Sequence, residues 1–199
     1  MLSTVERVQK RVFDLLLSVI GIALTWWIML LAWIVATIET RSNGLFMQER
    51  VGEKGKLFHV FKIKTMKHIQ GIDTTVTTKG DVRITKSGTF FRKTKIDELP
   101  QLFNVLFGTM SFVGARPDVA GFADTLEGDD RVILELLPGI TGPSSLKYKD
   151  EEELLAKQKD PERYNREVIW PDKIAINKMY LKNWTLKKDI AYIIKTIIG

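Results

Sequence analysis

Two adjacent carboxylates, Asp97 and Glu98, sit in the run Arg92-Lys93-Thr94-Lys95-Ile96-Asp97-Glu98-Leu99-Pro100, and Arg116-Pro117 follows in Ser111-Phe112-Val113-Gly114-Ala115-Arg116-Pro117. Cations on both sides of an acid pair suit phosphate chemistry. A carboxylate that attacks a diphosphate meets like-charge repulsion, which fixed Arg or Lys groups and a divalent metal must take up. The two acids can divide the labour, one attacking phosphorus and the other holding Mg²⁺, which prefers oxygen ligands. A structural role competes with this one. Proline is tolerated in the first turn of a helix but not in its interior, so Pro100 makes Asp97 the expected N-cap, with Glu98, Leu99 and Pro100 opening the helix. Glu98 would then complement the helix dipole, and the unpaired N–H groups would keep the acid ionised and be open to a phosphate.

Other chemistries are closed to the chain. It has no cysteine, which excludes a disulfide framework, a Cys-type zinc site and a thiol nucleophile. His59 and His68 are its only histidines, too few for a multi-histidine metal centre. With 30 Lys+Arg against 24 Asp+Glu, the net charge of +6 suits a partner that carries phosphate: nucleic acid, anionic lipid or a phosphorylated substrate. No RNA-binding strand motif or recognition helix favours nucleic acid. A length of 199 residues, 45% hydrophobic, accommodates one compact domain plus a membrane element.

The acids need elements to position them. Leu99, Leu102, Phe103 and Leu106 fall at i, i+3, i+4 and i+7, which predicts a helix stopped by Gly108. Leu57 to Lys64 reads as a short strand with Lys62 and Lys64 on one face. The stretch from Ile69 to Gly80 lacks an apolar period and reads as a loop. Asp129–Leu137 and Asp172–Asn183 are expected to be helical, and the acidic run Asp150–Glu153 reads as a solvated helix start. Leu186–Ile198 gathers Ile190, Ile193, Ile194 and Ile197 on one side, with Lys187, Lys188 and Lys195 available for headgroups. Either a packed core helix or an interfacial one has that pattern. The expected fold class is α/β, mainly helical, with short strands.

From Leu15 to Ile38 the chain runs 24 residues without charge, polar only at Ser18, Thr25 and Thr37. That suffices for a membrane helix. It is too long for the apolar core of a signal peptide and no small-residue cleavage site closes it, so a permanent anchor is expected. Arg7, Lys10 and Arg11 precede the run, and Arg41, Arg50, Lys54, Lys56, Lys62 and Lys64 follow it. Basic flanks at both ends favour a segment that enters and leaves by the cytoplasmic face over the alternative, a helix that spans the bilayer. Such a re-entrant helix requires a break, for which Gly21 and Thr25 are the candidates in the absence of proline. The expected organisation is a membrane-anchoring helix over residues 1–40 and a cytoplasmic catalytic domain over 41–199.

Six strings carry a resemblance: Lys10-Arg11-Val12-Phe13-Asp14, Phe61-Lys62-Ile63-Lys64-Thr65-Met66, Asp81-Val82-Arg83-Ile84-Thr85, Asp97 to Leu106, Ser111 to Pro117, and Pro138-Gly139-Ile140-Thr141-Gly142. In this order, behind an apolar segment, they resemble the bacterial monotopic phosphoglycosyl transferases, in particular the small members that contain little beyond the catalytic core. The resemblance implies that Asp97 attacks the β-phosphate of a UDP-sugar, releases UMP and carries a phosphosugar that polyprenyl (undecaprenyl) phosphate then accepts. It implies Glu98 as the Mg²⁺ ligand and Arg92 and Arg116 as phosphate contacts. It extends the substrate-binding set to Lys62, Lys64 and Pro117, and to Gly139 and Thr141 in the loop that shapes the nucleotide and sugar pocket. The implied partners are UDP-sugar, polyprenyl phosphate and inner-membrane lipids, with no nucleic acid and with self-association left open. Three positions depart from the family pattern. Trp26-Trp27 stands where a Ser-Pro pair usually breaks the re-entrant helix, Thr109 replaces a common acid, and Ala115 replaces a usual proline. Two other readings compete: a membrane-anchored basic module whose acids only cap a helix, and a direct attack by lipid phosphate without a covalent intermediate.

Overall fold

A computed structural model of the chain describes residues 2–69 and 81–199, so nearly all of the loop expected from Ile69 to Gly80 lies outside the described residues. The first element, α1, runs without interruption from Thr4 to Thr40, about 55 Å at 1.5 Å per residue. Ser3 and Glu6 start it with a reciprocal capping box, and Arg41 ends it in the left-handed region at φ 52°. Its most apolar 18 residues have a mean hydropathy of 2.3, enough by length and composition to cross a membrane. The expected break is absent. Gly21 packs against Leu102, where an added Cβ would lie 3.1 Å from Cδ1, and Thr25 donates from its hydroxyl to the Gly21 carbonyl within the helix, 2.7 Å away. Both residues serve a continuous helix because the body of the protein supports it along its length.

That support follows one stripe. Lys10, Asp14, Ser18, Met29, Ala32 and Ala36 are buried, at steps of three or four residues apart from the gap between Ser18 and Met29, which is close to three full turns, so they share a face. Towards its start, Lys10 pairs with Asp189 at 2.6 Å, and Asp189 also accepts from the Tyr180 hydroxyl at 2.7 Å and the Trp184 indole at 3.0 Å. Arg11 donates to the Val105 and Leu106 carbonyls at 2.6 and 2.9 Å, and Asp14 accepts from the Phe112 N–H at 3.0 Å. Arg7 reaches the Glu135 carbonyl at 2.9 Å. Towards the other end, Ala32 and Ala36 pack with Ile63 and Phe91, and Glu39 accepts from the amide and hydroxyl of Ser87. The basic residues ahead of the apolar run are thus engaged in tertiary bonds, and both ends of α1 are fastened to the same body. Val8, Leu16, Ile20, Leu24, Trp27 and Leu31 remain exposed on the rest of its surface.

After α1 the chain forms a hairpin of β1, Leu45–Val51, and β2, Leu57–Ile63, which pairs Phe46 with Lys62, Gln48 with Val60 and Arg50 with Phe58. Strand β2 falls where the sequence placed it, ending one residue before Lys64. Next come α2, Lys86–Thr94, capped by Thr85, and α3, Gln101–Phe107, which Gly108 ends at φ 82°. Strands β3, Ser111–Val113, and β4, Gly139–Thr141, pair in parallel. Their close approach requires glycine, since a Cβ on Gly139 would lie 2.1 Å from the Gly114 nitrogen. The rest is helical: α4, Pro143–Lys147; α5, Glu151–Ala156; α6, Pro161–Tyr164; α7, Trp170–Lys182; and α8, Leu186–Ile198. The helix expected at Asp129–Leu137 is a 3₁₀ segment, Gly128–Glu135. The mainly helical architecture with short strands agrees with the sequence reading. The main core joins Val51, Val113, Ile133, Ile174, Leu181 and Trp184. Ile193 packs against that core, whereas Ile190, Ile194 and Ile197 on α8 are 40%, 48% and 79% exposed. The helix is therefore anchored on one side and apolar towards the outside on another.

Removing one member of a buried ion pair leaves an uncompensated charge, at a cost of about 3–5 kcal/mol. Asp189→Ala, which also strips Tyr180 and Trp184 of their acceptor, is expected to destabilise the protein by that amount in chemical unfolding. The double change Lys10→Met with Asp189→Leu is expected to cost less than Asp189→Ala alone.

Candidate active site

The local backbone around Asp97 differs from a capped helix start. Lys95 adopts the left-handed region at φ 59°, and Ile96–Glu98 then form one 3₁₀ turn before α3 begins at Gln101. Pro100 has helical angles and no side chain caps α3. Asp97 is therefore not the expected N-cap. The left-handed residue turns the chain between α2 and the 3₁₀ segment and aims the Asp97 side chain inward. The side chain is buried, and its Oδ1 has no hydrogen-bond partner. Few native polar atoms are left in that condition, and those that are call for a functional account. Burial, reinforced by the neighbouring Glu98 charge, pushes the Asp97 carboxyl above the ordinary range, against the pull of Lys62, Lys95 and Arg92.

Glu98 is in the opposite electrostatic situation. Arg116 donates to its Oε1 at 2.9 Å and Lys62 to the same oxygen at 3.4 Å. Burial alone would raise this carboxyl, but Arg116 and Lys62 outweigh it and hold it at about 2. The three groups come from separate elements: Lys62 from β2, Glu98 from the turn before α3, and Arg116 from the segment after β3. Two neighbouring acids thus differ in readiness, one ion-paired and one buried with an unengaged oxygen. Of the other residues singled out from the sequence, Arg92 in the last turn of α2 is close enough for its charge to act on Asp97. Pro117 follows Arg116, and its carbonyl accepts from Arg50 at 3.3 Å. Lys64 turns away and donates to the Ser42 hydroxyl just past α1, at 2.7 Å. Gly139 is buried against Gly114, and the Thr141 hydroxyl is 2.6 Å from that of Thr196 on α8. The structure brings together Lys62, Arg92, Asp97, Glu98 and Arg116, whereas Lys64, Gly139 and Thr141 make contacts elsewhere.

Two contributors were missed in the sequence. Asn104 on α3 accepts from the Phe61 N–H at 2.9 Å and donates to the His59 carbonyl at 2.7 Å, which locks the strand bearing Lys62 onto the helix behind the acids. Thr109, the departure from a common acid, accepts a third bond from the same amide at 3.1 Å. Arg50 lies on the Lys62 face of the hairpin and was missed because β1 has no clean apolar alternation. Asn104 falls off the face of Leu99, Leu102, Phe103 and Leu106, so periodicity gave no signal for it, and only the structure shows it buried.

The donor set can be tested against a metal. Among the described residues no group of three His, Cys, Asp or Glu side chains could hold an ion by itself. Mg²⁺ is commonly held by one or two carboxylates together with substrate phosphates rather than by an all-protein cage. An ionised Glu98 beside the unengaged Asp97 oxygen fits that mode, with the phosphates completing the shell. A groove of about 430 Å³ between α1 and the body is lined by Met29, Leu30 and Trp33 of α1 with Phe61, Pro100 and Phe103, on the face of β2 opposite Lys62.

Residues 5–199 match the family described as bacterial sugar transferase. An undecaprenyl-phosphate galactose phosphotransferase of Salmonella typhimurium is 33% identical over 209 residues, covering 96% of this chain and 40% of the relative. A Bacillus subtilis protein provisionally named undecaprenyl-phosphate N-acetylgalactosaminyl 1-phosphate transferase is 36% identical over 148 residues, 71% of this chain and 79% of the relative. A UDP-glucose:undecaprenyl-phosphate glucose-1-phosphate transferase of Klebsiella pneumoniae is 32% identical over 203 residues, 98% of this chain and 41% of the relative. The chain thus spans about two fifths of the length of the Salmonella and Klebsiella proteins. With a match over nearly its whole length, and with the paired acids and their cations gathered in one place, the chain belongs to the bacterial sugar transferase family.

Proposed function

We propose that the chain transfers a phosphosugar from a UDP-sugar to undecaprenyl or a similar polyprenyl phosphate, in two steps through a covalent Asp97 intermediate. The observation that carries this reading is the buried Asp97 oxygen without a partner, directly beside a Glu98 that Arg116 and Lys62 hold ionised. An Asp97 carboxylate oxygen attacks the β-phosphorus, the bond from that phosphorus to the bridging oxygen breaks, and UMP leaves with the bridging oxygen. A phosphate oxygen of the lipid then attacks the same phosphorus, displaces Asp97 and yields polyprenyl-diphosphate-sugar. Arg116, Lys62 and Arg92 face the charge that builds on the phosphoryl oxygens, where fixed cations in a partly dry site act most strongly. Bound Mg²⁺, with Glu98 as its protein ligand, would neutralise the diphosphate and so lower the repulsion towards Asp97. The names of the relatives, which specify galactose, glucose and N-acetylgalactosamine, point to hexose and N-acetylhexosamine donors.

The membrane position follows from α1. A helix packed along the domain through one stripe brings both of its ends to the same body. We place its outward apolar surface, with that of α8, in the inner leaflet of the bacterial plasma membrane, and the acids on the cytoplasmic side. This retains the expected same-side topology without a helix break. It sets the site where a soluble nucleotide-sugar and a lipid phosphate both reach it.

Incubating purified protein with a UDP-sugar panel and Mg²⁺, without acceptor, should yield a phosphosugar adduct by intact mass and one UMP per protein. UMP formed only when lipid phosphate is added would instead indicate direct attack, and no UMP from any sugar would leave a binding module. Asp97→Asn is expected to abolish both adduct and turnover; full turnover in this variant would exclude Asp97 as nucleophile. Arg116→Ala is expected to lower kcat by about 10²-fold or more, as for other fixed donors to a developing charge. Excess EDTA should stop turnover, with recovery on adding Mg²⁺. Because the chain has no cysteine, Thr4→Cys at the start of α1 and Glu49→Cys on β1 beyond its end report on the two flanks of the helix. Both should react with an impermeant maleimide in inside-out vesicles and neither in intact spheroplasts.

A further inference from the structure

Arg50 is a cation that the reaction described above does not use. Residues two apart in a strand share a face, and the hairpin register places Arg50 and Gln48 of β1 on the same face as Lys62 of β2. The Gln48 side-chain oxygen accepts from Arg50 Nη2 at 2.7 Å, and the Pro117 carbonyl accepts from Nη1 at 3.3 Å. Among the described residues no carboxylate lies within ion-pairing distance of the half-buried guanidinium; Asp118 is the opposite charge nearest in effect. Arg116 is the like charge that Arg50 faces, and Lys62 feels both arginines as well as Glu98 and Asp97. Burial and Arg116 both disfavour the charged form of Arg50. A buried guanidinium ordinarily has a carboxylate partner. This one is held by two neutral acceptors, which fix the planar fork and leave its charge and remaining donors uncommitted, the arrangement suited to bidentate recognition of phosphate.

We propose that Arg50 binds a phosphate of the nucleoside diphosphate donor directly, as a further cation beside Arg116 and Lys62, with Gln48 and the Pro117 carbonyl orienting its fork. The inference rests on the donor being a nucleoside diphosphate sugar. Glu98 occupies the near side of Arg116 and Lys62, so Arg50 extends the cationic surface away from the acids, and a diphosphate carries two groups to be held.

The test is UDP binding by equilibrium dialysis in the presence of Mg²⁺, on the whole chain in detergent, with folding checked by circular dichroism. Arg50→Gln is expected to weaken UDP binding about tenfold or more, the loss of one charge-assisted contact, and Arg50→Lys to weaken it less. A cycle with Arg116→Ala separates direct contact from support of the Arg116 segment. If Arg50 touches phosphate, Arg50→Gln weakens binding further in the Arg116→Ala background by a similar factor. No further loss there, or unchanged affinity in the single variant, would overturn the proposal. Should Arg50→Gln fail to fold, the same cycle run with Arg50→Lys decides by the same criterion. Wild-type protein that bound no UDP would defeat the proposed donor class instead, so the two failures are distinguishable.

Discussion

The arrangement of the whole molecule depends on one polar anchor at the start of an otherwise apolar helix. A helix that is apolar nearly all round has little to fix its rotation, since any face can pack or meet lipid about equally well. Lys10, Arg11 and Asp14 remove that freedom. Each has a single partner geometry, to Asp189, to the last carbonyls of α3, and to the backbone of β3. Burying Lys10 and Asp189 carries a desolvation penalty, offset by their contact and by the Tyr180 and Trp184 donors. What the anchor contributes is register. It sets α3 behind the acids, and β3 ahead of Arg116, relative to the same helix face.

From that register the site acquires its asymmetry. Asp97 and Glu98 are chain neighbours with the same functional group, yet burial raises one and two cations lower the other to about 2. Environments that push the ionisation of paired carboxylates apart are how sites divide roles between them. The division here comes from their surroundings, since Arg116 and Lys62 bond Glu98 while an oxygen of Asp97 is buried without a hydrogen-bond partner. It is kept by Asn104, whose amide joins β2 to α3 and so fixes the distance from Lys62 to Glu98.

The same register seats α1 against the elements around the acids. The groove beside Pro100 and Phe103 is walled by Met29, Leu30 and Trp33 of α1, of which Leu30 and Trp33 are exposed and Met29 is buried. Phe61 and Ile63 in that lining lie on the face of β2 opposite Lys62, so α1 backs the strand that carries Lys62 to Glu98.

Much of this was legible in the residues. The apolar run, the strand bearing Lys62, the helix after Pro100 and the acid pair among cations all follow from local pattern, because periodicity and helix stops act over one or two turns. Cap geometry was not legible. Pro100 put the helix start at Glu98, ahead of the observed start at Gln101, and the left-handed Lys95 and the 3₁₀ turn moved Asp97 from the cap to the interior. Lys62 and Lys64 looked equivalent by alternation, and only packing sent one to Glu98 and the other to Ser42. Gly139 and Thr141 entered the candidate site only through the family resemblance, and the structure sets Gly139 close against Gly114 and the Thr141 hydroxyl beside that of Thr196. By itself the sequence determined which chemistry was available and which elements would form, since composition and short-range spacing carry that information. The tertiary structure alone decided which cations meet the acids, that α1 runs unbroken along the domain, and that one carboxylate of an adjacent pair is held ionised while the other keeps one buried oxygen without a hydrogen-bond partner. Those outcomes depend on contacts between residues far apart in the chain.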